Sequence, residues 1–154
     1  MTQIKKILFP LSPDVAGKIS PTVETMSKAF DSEVHVLFVV RDIKPYKGLP
    51  YPSIQYGSYE SGSEVRTEQR ANMLESLKQF CAGHLGGLDN CVQEVTFGNP
   101  AEEILKYIDS ANIDLVIMGT HGRRGLEEIF FGSVAREVIG KSKVPVTVVN
   151  PYLV

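Results

Sequence analysis

Most of the short apolar segments in this chain are apolar on both faces that an extended strand presents. "KKILFP" (5–10), "EVHVLFVV" (33–40), "DLVIMG" (114–119) and "VPVTVVN" (144–150) are rich in β-branched residues and bounded by Pro, Gly, Asp or Asn. A strand apolar on both sides has to be covered on both sides, and a parallel sheet between two helical layers provides that cover. A fifth segment, "VQEVTFG" (92–98), alternates, which suits a strand nearer a sheet edge.

Helical patterns lie between these segments. Met73, Leu74, Leu77, Phe80 and Cys81 fall on one face, as do Ile104, Leu105, Ile108 and Ala111, and as do Val134, Ala135, Val138 and Ile139. In "NPAEE" the spacing predicts Asn99 as N-cap, Pro100 as first helical residue and Glu102 in the first turn, and Ser61 with Glu64 forms a second capping box. "SPDVAGKISP" carries a glycine and two prolines before Val23, Met26 and Phe30 take up helical spacing, so the first helix is expected to start near Ser20-Pro21. The order βαβαβαβαβ implies right-handed crossovers and a parallel sheet with helices on both faces. The expected class is therefore α/β, an open five-stranded parallel sheet forming a single domain over 1–154.

A chain of 154 residues is the size of one ordinary domain. A formal charge of −2 gives no general electrostatic footprint for nucleic acid or an anionic membrane, so any anion site has to be local. The start, "MTQIKKILFP", has an apolar run too short for a signal segment or a membrane span, which leads us to expect a cytoplasmic protein. Cys81 and Cys91 have no second pair and no histidine at zinc-ligand spacing, and both are expected to be reduced and structural. The long irregular stretch from Arg41 to Gly62 holds Tyr46, Tyr51, Tyr56 and Tyr59, which either cover a ligand, meet a partner subunit or are simply exposed.

Chemistry points to the stretch "IMGTHGRRGLEEIFFGSVAREVI" (117–139). A glycine-rich turn between a strand and a helix lets backbone amides approach a phosphate, because no Cβ intervenes and the helix presents unpaired N–H groups. The loops leaving the first strand (Pro10–Asp14), the second (Val39–Asp42) and the fourth (Gly119–Gly132) would all open at the carboxyl edge of the sheet, where such sheets bind ligands. Gly119, Gly122, Gly132 and Ser133 stand in the pattern G-x₂-G-x₉-G-[ST].

With that pattern, and with "KKILFP", "GNPAEEILKYI" and "VPVTVVN" around it, nearly the whole chain resembles the universal stress protein family, in particular its nucleotide-binding branch. The resemblance implies strand order 3-2-1-4-5, a fold like that of the adenine-nucleotide alpha hydrolases, and ATP, ADP or AMP in the cleft, with magnesium as a candidate companion. It implies that loop amides and Ser133 take the phosphates, that Met118 and Gly119 line the ribose side, and that the backbone near Val39 meets the adenine. The full set implied is Pro10, Ser12, Asp14, Val39, Met118, Gly119, His121, Gly122, Arg123, Gly132, Ser133 and Val134. The family's first loop usually reads P-[TV]-D, whereas this chain reads Pro10-Leu11-Ser12-Pro13-Asp14. Either Ser12 replaces the carboxylate, or an insertion has moved it to Asp14.

Arg123 and Arg124 stand where a guanidinium could reach the phosphates, with Arg123 the candidate for that role and Arg124 more readily solvated. His121 has no Ser, Cys or Asp at triad-like spacing, His35 reads as a packed or edge histidine, and His84 as a solvated one. Neither G-x₄-G-K-[ST] nor G-x-G-x-x-G occurs, so kinase and dehydrogenase chemistry have no support. The favoured reading is a regulatory nucleotide-binding module with at most slow hydrolysis and no catalytic residue. The alternative is a nucleotide-independent interaction module acting through its dimer surface. An apolar last strand at the sheet edge leads us to expect a homodimer through residues 144–150.

Overall fold

In the computed structural model, residues 3–41, 62–120 and 132–153 are described, and of residues 62–65 only the backbone. The described elements follow in the order β1 (Lys6–Pro10), α1 (Ala16–Phe30), β2 (Glu33–Arg41), α2 (Gly62–His84), β3 (Cys91–Gly98), α3 (Pro100–Ser110), β4 (Leu115–Gly119), α4 (Ser133–Lys141) and β5 (Val146–Val149). The strands form one sheet in the order β3-β2-β1-β4-β5. All four pairings are parallel, with Ile7 opposite Val34 and Leu115, Val36 opposite Gln93, and Val116 opposite Val146. This is the α/β architecture that the two-sided apolar strands require.

Each face has its own core. On one side, Ile7 and Phe9, Val34 and Val36, Val95, Leu115 and Ile117 are buried together with Ala16, Ile19 and Val23 of α1 and Leu77 and Cys81 of α2. On the other, Leu8, Leu37, Val116 and Met118 are buried with Ala101, Ile104 and Ile108 of α3 and Ala135 and Val138 of α4. The alternation of Ile7, Leu8 and Phe9 between the two cores is the period of two expected of a strand buried on both sides. Two expected core residues stay outside: Phe30 at the end of α1 is 38% exposed and Ile139 near the end of α4 is 42% exposed. Both lie in the last turn of their helix.

The cap of α3 is formed as its sequence predicts, with Asn99 Oδ1 accepting from the Glu102 amide at 3.2 Å and Pro100 opening the helix. The start of α1 is not. This helix begins at Ala16, not near Ser20-Pro21, and holds Pro21 in its interior. A proline there removes the amide that would bond to Gly17 C=O and brings its ring against that carbonyl. The Ser20 hydroxyl supplies the missing donor, giving a hydrogen bond to Gly17 O at 3.1 Å. Gly17 has a second reason to be small, since a Cβ there would lie 3.1 Å from Cε1 of His84, on the neighbouring helix α2.

If Ser20 stands in for the amide that Pro21 lacks, Ser20→Ala should destabilise the fold by about 1 kcal/mol, the net worth of one hydrogen bond. In a Pro21→Ala background, where the backbone amide is restored, the same change should cost clearly less. Urea denaturation of the four proteins measures the coupling, and equal costs in both backgrounds would disprove the substitution of one donor for the other.

Candidate functional site

The carboxyl ends of β1, β2 and β4 lie side by side because β1 pairs with both β2 and β4. The β1–β2 ladder continues one residue past β1, where the Leu11 amide donates to Leu37 O at 2.8 Å. Ser12 is thus the first residue released from the sheet. Its carbonyl accepts from the amides of both Val15 and Ala16, at 3.1 and 2.9 Å, which folds Pro13 and Asp14 into a tight turn ahead of α1. Ser12 is half-buried at the lip of the edge, and Asp14 is exposed further out. Pro10 and Val39 are half-buried at the ends of their strands.

The second wall is made by β4 and α4. Met118 is buried, and Gly119 follows it in register with Val149 of β5. Thr120 continues that ladder, its amide donating to Val149 O at 3.0 Å. The Thr120 carbonyl then accepts from the Gly132 amide at 2.7 Å. One short hydrogen bond therefore joins the two ends of the glycine-rich loop and fixes Gly132, the residue just ahead of α4, beside the end of β4. A Cβ at Gly132 would stand 3.3 Å from that same Thr120 oxygen, so the close approach favours a glycine here although its φ of −56° does not demand one. The first intrahelical bond of α4 runs from Arg136 N to Gly132 O at 3.0 Å. Among the described residues no side chain caps this helix and its first turn carries no acidic residue. The amides of Ser133 and Val134 thus head an uncapped helix whose partial positive charge lies at the carboxyl edge of the sheet, with the Ser133 side chain exposed. A helix end of this kind favours negative charge.

Of the expected site, Pro10, Ser12, Asp14, Val39, Met118, Gly119, Gly132, Ser133 and Val134 are at this edge. His121, Gly122, Arg123 and Arg124 lie outside the described residues, as do the tyrosines of the 42–61 stretch and Ser61 of the second capping box. One group had no signal in the sequence. Thr96, opposite Val39 in the β2–β3 register, has a buried hydroxyl oxygen with no hydrogen-bond partner among the described residues. A threonine in an alternating edge strand reads as ordinary β propensity, so only the three-dimensional placement reveals it.

His35 takes no part in this edge. It is buried near the opposite end of β2, with Nδ1 2.8 Å from the Tyr107 hydroxyl and Nε2 2.6 Å from Glu33 Oε1. Burial, reinforced by the Glu94 and Glu33 carboxylates, raises the Tyr107 phenol above its ordinary value. His84 is exposed and stacks on Phe80 with ring centroids 4.6 Å apart. Among the described residues no three His, Cys, Asp or Glu side chains gather as a metal site, and no helix is long and apolar enough to cross a membrane.

A doubly wound α/β domain whose glycine-rich loop closes onto a helix N-terminus defines the class of protein. A family model, that of the universal stress protein family, matches residues 3–150, and the chain belongs to that family. The chain is 37% identical to universal stress protein MJ0531 of Methanocaldococcus jannaschii over 95% of its own length and 82% of that protein's. It is 31% identical to universal stress protein MJ0577 of the same organism, over 95% and 94%. The solved structure of MJ0577 superposes with a TM-score of 0.71 over 97% of both chains, at 28% identity. At lower identity the same fold recurs in a universal stress protein in complex with cAMP (12% identity, TM-score 0.62, 97% and 99% covered). It recurs too in an Arabidopsis thaliana family member with AMP bound (18% identity, TM-score 0.58, 95% and 91% covered).

Proposed function

We propose that this chain, as one domain over 1–154, is a cytoplasmic regulatory protein that binds ATP or AMP at the carboxyl ends of β1, β2 and β4, with little or no turnover. The observation that carries the reading is the uncapped N-terminus of α4, held beside β4 by the bond between Gly132 N and Thr120 O at 2.7 Å. It provides amides and partial positive charge at one point, which suits a phosphate. Relatives of the same fold with cAMP and AMP bound support an adenine nucleotide as the ligand class. In this reading Gly122, Gly132, Ser133 and Val134 surround the phosphates, with His121 and Arg123 of the same loop, and Gly119 lies on the ribose side. Met118 lines the ribose side, while Val39 and Pro10 border the adenine. Magnesium would accompany a triphosphate.

A side chain within the glycine loop should keep phosphates out. Gly122→Val is expected to lower ATP affinity at least tenfold, about 1.4 kcal/mol, in titration calorimetry, and Gly132→Val to do the same. Circular dichroism should show both variants folded. Unchanged affinity in folded Gly122→Val protein would refute the phosphate cradle and favour the nucleotide-independent reading.

In the first loop we assign the position of the family's aspartate to Ser12, because the Leu11 amide still belongs to the β1–β2 ladder and Ser12 is the first residue free of it. Ser12→Ala should then weaken adenosine and ATP together by severalfold, the cost of one lost hydrogen bond, while Asp14→Ala changes neither. The reverse ranking would assign the carboxylate of Asp14 to the ligand.

We further propose a homodimer through residues 144–150. β5 is the last strand of the sheet order, and Val116 N bonds to Pro145 O at 3.0 Å, so the proline stands just ahead of the strand and removes no ladder donor from it. A two-fold axis would let two such edges pair antiparallel. Light scattering should give a dimer at micromolar concentration. Val146→Lys with Val148→Lys, checked for fold because both valines also pack on the α3/α4 core, should give a monomer. A monomeric native protein would exclude the interface.

A further inference from the structure

The two cysteines of the chain, ten residues apart in sequence, are brought together by the fold. Cys81 is in the penultimate turn of α2 and Cys91 is the first residue of β3, and their sulfur atoms are 3.5 Å apart. Both are free thiols. The geometry is asymmetric. Cys81 is buried at 6% exposure in the core under α2, whereas Cys91 is partly exposed, and the Cys91 thiol donates to the Cys81 sulfur. That hydrogen bond, aided by Gln93 and opposed by burial, lowers the Cys81 thiol to about 7, and the same bond together with burial raises Cys91. The sulfur that accepts the hydrogen bond is the more readily ionised of the two, and the donor stays beside it as a thiol, the arrangement of an attacking and a resolving cysteine.

We propose that Cys81 and Cys91 are a reversible dithiol–disulfide site that is oxidised by hydroperoxides. The Cys81 thiolate attacks the O–O bond of hydrogen peroxide, taking one oxygen to become a sulfenic acid, and hydroxide leaves and is protonated to water. Cys91 then attacks the sulfenic sulfur, the S–S bond forms, and the sulfenic oxygen departs as water with the Cys91 proton. Two thiols lose two electrons and one peroxide becomes two waters. A dithiol reductant reverses the change by exchange.

The chain between the two sulfurs can accommodate the bond. Closing 3.5 Å to a bond of about 2.0 Å needs a movement of roughly 1.5 Å. The connecting residues 82–90 include Gly83, Gly86 and Gly87 and are mostly exposed, with Leu85 as the buried anchor. The site is at the amino-terminal end of β3, opposite the edge proposed for nucleotide, so it stands or falls independently of that reading.

The test uses the full-length protein, reduced, freed of reductant and titrated with hydrogen peroxide. The wild type is expected to lose both thiols to alkylation, to lose the mass of two hydrogen atoms, and to yield the single tryptic peptide 79–106, which holds both cysteines, two hydrogen masses lighter and closed by an internal Cys81–Cys91 bond, all reversed by dithiothreitol. Cys91→Ser should instead accumulate a dimedone-reactive sulfenic acid at Cys81. In Cys81→Ser, oxidation of Cys91 should be at least tenfold slower than that of Cys81 in the wild type. Wild-type protein whose thiols stay alkylatable, or which gains oxygen at each cysteine separately, or which crosslinks only between chains, would overturn the proposal. Because these readings are made on the wild type, they do not depend on the variants folding.

Discussion

The central strand sets the terms for everything else. Ile7, Leu8 and Phe9 of β1 are wholly buried, and their side chains alternate between the two cores. Three consecutive buried apolar residues, each contributing about 1.5 to 3 kcal/mol of burial, suit β1 to the middle of the sheet, as the four of β4, Leu115 to Met118, suit that strand to an interior place beside it. β1 pairs on both sides, with β2 and with β4. Once both neighbours are parallel to it, the chain after β1 turns one way and the chain after β4 the other, so a gap opens between their connections. The candidate site is that gap. Its position follows from which strand is central, and its chemistry from the loops that happen to leave there.

The loops are held at this edge by continuations of the sheet itself. The amides of Leu11 and Thr120 each carry a ladder one residue beyond the strand, to Leu37 O and Val149 O. These extra bonds fix where the first and fourth loops begin, and the bond from Gly132 to Thr120 fixes where the fourth ends. A binding edge made this way is rigid at its base whatever lies between the anchors. The uncapped start of α4 gains its meaning from the same anchoring, since an unpaired helix end that could swing away would be satisfied by water and offer a ligand little.

Much of this was legible in the sequence because it depends on local pattern. Two-sided apolar strands announce a parallel sheet, and Asn99-Pro100 announces the start of α3. The start of α1 was misread for a physical reason: Pro21 is a strong start signal, and only the Ser20 hydroxyl on Gly17 O makes it tolerable inside a helix. That compensation depends on three residues together, and single-residue preferences do not contain it. Ile139 fits the helical spacing of α4 and is nevertheless exposed, because spacing says which side a residue is on and not how much of that side is covered. At the carboxyl edge, the placement of Gly119, Gly132 and Ser133 was readable, whereas that of Thr96 was not, since its neighbour Val39 lies on another strand.

The cysteine pair illustrates the same limit from the other direction. Ten residues of spacing say nothing about proximity until the turn between α2 and β3 reverses the chain, and a turn containing Gly86-Gly87 permits many geometries. What selects this one is burial: Leu85, at 1% exposure, is anchored in the core midway through the turn and draws the end of α2 and the start of β3 together beside it. The thiols meet because an apolar residue between them needed cover. A parallel sheet also keeps such a meeting apart from the ligand edge, because helices cross the sheet and separate the loops at its two ends. Chemistry at the amino-terminal end can then change, including the gain or loss of a covalent bond, without altering the anchors at Thr120 and Gly132 on which the nucleotide reading rests.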